Sequence, residues 1–128
     1  MFYTVGFGSV PSWIKPYNVL SNGEKMRVDL ARALLEKDFV VFDEFTSVVD
    51  RNVAQTASLA INKAIKRTNK KFIAISCHYD ILEWLHPDWV FDTNEMKCFF
   101  GISHVQKKNT QLKDASVANG TNLKSIII

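Results

Sequence analysis

Two short, uninterrupted apolar runs constrain this chain more than anything else in it: Phe39 to Phe42 and Phe72 to Ile75. Runs of β-formers without a polar break suit strands buried on both faces, as in a parallel sheet. Between them, Val53, Ala57, Ala60, Ile61 and Ala64 recur at helical spacing, which predicts a helix over Arg51 to Arg67 with those residues as its buried stripe. Strand, helix, strand at this spacing is a βαβ unit, so the fold class is α/β with a mostly parallel sheet flanked by helices.

The flanking pattern extends the alternation. Ser21 opens a helix with Met26, Leu30, Ala33 and Leu34 inward, and Arg27, Asp29, Arg32 and Glu36 mostly on the other side. It ends near Lys37. Asp80 to Leu85 forms a short helix that Pro87 prevents from continuing. Trp89 to Phe91 and Lys97 to Phe100 read as closing strands of a hairpin around Asn94. Residues 1–19 are a turn-rich lead-in holding Pro11 and Pro16, with a short strand near Phe2 to Val5. Residues 20–100 form the α/β body. Residues 101–128 are polar over Gln106 to Asn122 and read as a disordered tail.

A chain of 128 residues can bury one real core. Its net charge of +3 is scattered, which favours an ordinary solvated surface and leaves a nucleic-acid partner possible but unsupported. Cys77 and Cys98 make no metal spacing and lie in or beside apolar runs, so they read as buried free thiols of a reducing, cytoplasmic compartment. No apolar run is long enough to span a bilayer, and the N-terminus is unlike a signal peptide.

Chemistry-bearing residues gather where strands end and helices begin, the places where open α/β sheets bind ligands. Ser21-Asn22-Gly23-Glu24 sits at a helix start, whose free N–H groups and dipole suit a phosphate. The same residues make an S-x-x-E capping box, which explains Ser21 and Glu24 without any ligand. Asp43 and Glu44 directly follow the first apolar run, a place suited to a hydrated Mg²⁺ and to polarising water. They could equally be solvated loop carboxylates. His78 follows the second run and could reach the same ligand, or be an ordinary loop histidine. His86 and His104 have no comparable setting.

Together, in this order and spacing, the motifs resemble the later half of an ATP-binding-cassette (ABC) type ATPase nucleotide domain. LSNGEKMRVDLARALL at Leu20 to Leu35 resembles the signature motif and its helix. VVFDE at Val40 to Glu44 resembles the Walker B strand and its carboxylate. Ser47 to Asp50 resembles the D-loop, and His78 the switch histidine. The resemblance covers about Val19 to Phe100 and is closest to soluble bacterial and phage ATPases found beside an acetyltransferase-like domain. It implies a partial P-loop NTPase fold, ATP and Mg²⁺ as ligands, and ATP hydrolysis in a completed or dimeric protein. Asp43 would hold Mg²⁺ through water, Glu44 would act as general base, and His78 would contact the γ-phosphate. Ser21, Asn22, Gly23 and Glu24 would face the nucleotide of a second ABC subunit, and Asp50 would lie at that interface.

The chain also departs from the family. It contains no G-x-x-x-x-G-K-[ST] phosphate loop; Gly6-Phe7-Gly8-Ser9 is the nearest glycine-rich piece and lacks the lysine. The Q-loop glutamine is missing, and only nineteen residues precede Leu20, so the sequence reads as a fragment, a split subunit or a degenerate copy. Phe45 stands where transporter domains carry proline, and the signature reads LSNGE rather than LSGGQ. The chain alone is therefore expected to bind ATP weakly or not at all. The missing N-terminal half, or a second subunit, is its expected partner. The alternatives are a non-hydrolysing regulatory remnant and a DNA-repair type ATPase segment.

Overall fold

The computed structural model describes residues 14–101, 110 and 126–127. The strand expected near Phe2 to Val5 and most of the expected tail lie outside them. The chain divides into two compact units, Met1–Val40 with Val48–Lys71, and Val41–Ser47 with Phe72–Ile128.

In the first unit a single 3-10 turn, Tyr17–Val19, leads into α1, Asn22–Glu36. The helix starts where it does because Ser21 and Glu24 cap it reciprocally: Ser21 Oγ accepts from the Glu24 N–H at 3.3 Å, and a Glu24 carboxylate oxygen accepts from the Ser21 N–H at 2.8 Å. Met26, Leu30, Ala31 and Leu34 are its buried residues. Ala31 thus takes the place that the sequence pattern gave to Ala33. The second helix, α2, spans Arg51–Arg67, the range read from sequence, because Asp50 caps its start. The buried residues are Ala54, Ala57, Ser58, Ile61 and Ala64. The expected stripe is therefore corrected at Val53 and Ala60, which are only half-buried. Ser58 lies in the stripe despite its hydroxyl. Leu30 and Leu34 are essentially inaccessible, and burial of that kind stabilises by about 1.5–3 kcal/mol per side chain.

The strands form one five-stranded sheet. β1 is Phe39–Phe42, β2 Lys71–Ser76, β3 Trp89–Asp92, β4 Lys97–Phe100 and β5 Ile126–Ile127. Their spatial order is β1-β2-β5-β3-β4. β1 and β2 run parallel, joined through α2. The other described pairings, β2 with β5, β5 with β3, and β3 with β4, are antiparallel. The architecture is α/β, but the expectation of a mostly parallel sheet is corrected: one neighbouring pair is parallel. A hairpin and a strand from the chain's end account for the rest.

The expectation that the first apolar run is buried on both faces is also corrected. Only Val40 is buried in β1, while Phe39 and Val41 are 55% and 53% exposed. In the second unit the core holds Phe45, Ala74, Val90 and, from the short helix α3 (Ile81–Leu85), Ile81, Leu82 and Leu85. His86 ends α3 in the left-handed conformation at φ 48°, a structural position consistent with its bland sequence setting. The β3–β4 turn is held by Asp92, whose Oδ1 accepts from the Asn94 N–H at 2.8 Å. Cys77 and Cys98 are both exposed, which corrects their reading as buried thiols. No helix of the described residues is long and apolar enough to cross a membrane.

Candidate functional site

The eight candidate residues fall into two groups, one in each unit. In the first unit, the start of α1 meets the start of α2. A Cβ built on Gly23 would lie 3.1 Å from Val53 Cγ1, tighter than ordinary contact. Gly23 therefore has a packing reason to lack a side chain, apart from any ligand. Arg27 Nε donates to the Gly23 carbonyl at 3.0 Å and steadies the same turn. Three residues before Val53, Asp50 Oδ1 accepts from the N–H groups of Asn52 and Val53 at 2.9 and 3.0 Å. A cap of this kind stabilises a helix by about 1 kcal/mol. Ser21, Asn22 and Asp50 are exposed, and Gly23 and Glu24 are half-buried. A helix start leaves its first N–H groups without intrahelical partners. The capping box satisfies that of Glu24, while those of Asn22 and Gly23 have no partner among the described residues.

In the second unit, the carboxyl ends of β1 and β2 stand side by side. The Phe45 N–H donates to the Ile75 carbonyl at 2.8 Å and ties the loop after β1 to β2. Asp43 and Glu44 leave this edge from β1; Cys77 and His78 leave it from β2. Asp43 and Glu44 are exposed. One Asp43 oxygen accepts from the Glu44 N–H at 2.8 Å, and the Glu44 side chain has no hydrogen bond or ion pair among the described residues. His78 is half-buried, and its N–H donates to Ser76 Oγ at 3.2 Å.

The loop between these points is under backbone strain. Glu44 has φ 50° and Thr46 φ 66°. The left-handed region is unusual for any non-glycine residue, and more so for a β-branched one. Phe45 anchors the loop. It is fully buried, with edge-to-face ring contacts to Phe42 at 6.0 Å and Phe72 at 5.8 Å. The Phe45 ring is thus part of the core. Thr46 is also fully buried, and its Oγ1 has no hydrogen-bond partner among the described residues. Sequence reasoning missed Thr46 and Arg27, because nothing in residue type or spacing distinguishes a strained threonine or a backbone-bonding arginine.

The chemistry open to the second group is that of one or two exposed carboxylates following β1 and a half-buried histidine following the neighbouring β2. Among the described residues no set of three or more His, Cys, Asp or Glu stands together as a metal cage. A hydrated Mg²⁺ does not require one, since it binds through one or two carboxylates with water and phosphate completing its shell. The donor set at Asp43 fits that mode. Comparison with protein-family models, with curated proteins and with solved structures gives no match in any of the three.

Proposed function

We propose that this chain is the signature-bearing half of an ABC-type ATPase, with a partial P-loop NTPase fold, completed by a phosphate-loop half or a second subunit. The observation that carries the reading is Glu44: an exposed carboxylate with no partner among the described residues, at a parallel strand's carboxyl end, held at φ 50°. Strain of this kind gathers at functional sites. Asp43 would hold Mg²⁺ through water, and bound Mg²⁺ would neutralise charge on the phosphates. Glu44 would orient the attacking water as general base, and His78 would contact the γ-phosphate. Ser21 and Gly23 present the start of α1 to a nucleotide held by the partner. Most of the rate enhancement in such chemistry is positioning and charge stabilisation.

The test uses the chain alone and the chain joined to a phosphate-loop polypeptide. Alone, titrated calorimetrically with Mg-ATP, it shows no micromolar binding. Joined, it hydrolyses ATP, and Glu44→Gln lowers the rate by about 10²–10⁴-fold. Undiminished hydrolysis after that change would remove Glu44 from its role.

A second reading, a binding or regulatory module that keeps the fold without the chemistry, is favoured by the first unit. There Ser21, Gly23, Glu24 and Asp50 each have a structural task. Under it, joining the halves produces no hydrolysis.

A further inference from the structure

The chain's positive charge comes from one segment. Between Asp50 and Asp80 there is no acidic residue, and the segment holds Arg51, Lys63, Lys66, Arg67, Lys70 and Lys71. It carries +6 against +3 for the whole chain, so the remainder is net −3. This corrects the reading of the charge as scattered. All of these cations but Arg51 stand between the last turns of α2 and the start of β2. Lys63, Lys66 and Arg67, spaced three and four residues apart, share one face of the helix. Lys70 is half-buried and committed: its Nζ donates to the Lys37 carbonyl at 2.9 Å and to an Asp38 carboxylate oxygen at 3.1 Å. Lys63, Lys66, Arg67 and Lys71 are exposed, and their side chains have no hydrogen bond or ion pair among the described residues. Cations in the last turn of a helix complement its dipole, which gives Lys66 and Arg67 a structural task. Lys63 and Lys71 lie outside that turn.

We propose that this end of α2 binds the phosphate backbone of a nucleic-acid duplex without reading its sequence. Clustered, solvent-facing cations with no acid opposing them are the electrostatic footprint of such a partner. The acids at the neighbouring end of α1 are already occupied, Asp38 by Lys70 and Glu36 by Arg32. Thr68 and Asn69, both exposed, add side-chain donors of the kind that phosphate oxygens accept. Two other polyanions fit less well. A lipid surface would be entered by apolar side chains, and no large apolar residue between Lys63 and Lys71 is exposed. A single strand would be held by stacking, and there is no aromatic residue between Phe45 and Phe72. Lys66 stands about 20 Å along the helix axis from Val53, so the patch is separate from the turn at Gly23 and Asp50.

The probe is a fluorescent DNA duplex of mixed sequence, titrated with the full chain and followed by anisotropy between about 50 and 200 mM salt. The chain binds saturably, and the logarithm of the association constant falls with that of salt at a slope of about −3 to −4, as four phosphate contacts require. Replacing Lys66 and Arg67 together by glutamine weakens binding at least tenfold at the lowest salt and flattens the slope by about 2. Replacing Lys63 and Lys71 together by glutamine does the same and leaves the last turn of α2 untouched, so it decides the matter if the first variant does not fold. Replacing Lys15 and Lys97 together by glutamine removes the same charge away from the patch and changes affinity less than twofold. No saturable binding at the lowest salt overturns the proposal. So does an equal loss in the Lys15 and Lys97 variant, which would make net charge the cause. Tighter binding of the corresponding single strand, or equally tight binding of vesicles containing phosphatidylserine, overturns the choice of a duplex. No nucleotide is present, so every outcome is independent of the ATPase reading.

Discussion

Replacing Phe45 by proline tests how the loop after β1 is held, because it removes the ring and the N–H of one residue together. Three effects combine. The fully buried ring and its two edge-to-face contacts are lost, and truncation of a buried phenylalanine typically costs about 3–5 kcal/mol. The N–H that donates to the Ile75 carbonyl at 2.8 Å is removed, leaving that oxygen without its donor for a further ~1–3 kcal/mol. The residue before proline is driven toward extended conformations, away from the φ of 50° that Glu44 adopts. The first two effects total roughly 4–8 kcal/mol, against a whole-domain stability of about 5–15 kcal/mol. Phe45→Pro is therefore expected to unfold the chain or leave it barely folded. Phe45→Ala loses the first contribution alone, and Phe45→Leu loses less than Phe45→Ala. Urea unfolding followed by far-ultraviolet circular dichroism, with linear extrapolation, orders the three. A Phe45→Pro chain as stable as the parent would refute both the buried position of the ring and the bond to Ile75.

Three further outcomes follow from single features. Thr46→Val removes a buried hydroxyl that has no partner, so it should stabilise by about 1 kcal/mol and raise the melting temperature by roughly 3–6 °C; a lowered melting temperature would mean that the hydroxyl is bonded. Gly23→Ala gains about 0.8–1 kcal/mol of helix propensity but meets Val53, so its benefit should appear in full only in a Val53→Ala background. A thermal-melt double-mutant cycle without coupling would remove the close approach. Ser21→Asp keeps an acceptor for the Glu24 N–H, so the chain should be as stable as the parent; under the proposed ATPase function the completed protein should nevertheless lose activity, because negative charge would then face the phosphates. Retained hydrolysis would separate Ser21 from the nucleotide.

The parts of the fold that were legible in the sequence are those specified locally. The range of α2 is readable because the chain keeps helical periodicity to Arg67; the cap at Asp50 that fixes its start is shown by the structure. The start of α1 was readable because the capping box needs only Ser21 and Glu24. What a run of hydrophobic residues touches depends on distant chain, which local sequence does not specify. Phe39 and Val41 belong to an apolar run but are exposed, and Cys77 and Cys98 lie in or beside apolar runs without being buried. β5 was illegible for a related reason. Ile126 and Ile127 follow a long polar stretch, and only their pairing with β2 and β3 makes them a strand.

The two halves of the candidate site differ in how far structure alone explains them. In the first unit every motif residue except Asn22 has a mechanical task, so its presence says little about chemistry. Asp50 would cap α2 in a protein that never met a nucleotide. In the second unit mechanical need runs the other way. A loop carboxylate in the left-handed region destabilises the fold, and the Glu44 side chain makes no described contact that offsets it. Its neighbours absorb the consequence: Phe45 anchors the turn in the core, and Thr46 carries both a second left-handed backbone and a buried hydroxyl without a partner. Stability would favour glycine at position 44, where no side-chain contact would be lost and the left-handed backbone would be unstrained. Glu44→Gly therefore separates the two readings in one variant: it should raise the stability of the chain and abolish hydrolysis in the completed protein. A chain destabilised by Glu44→Gly would show that the carboxylate is structural, and the asymmetry between the two units would disappear.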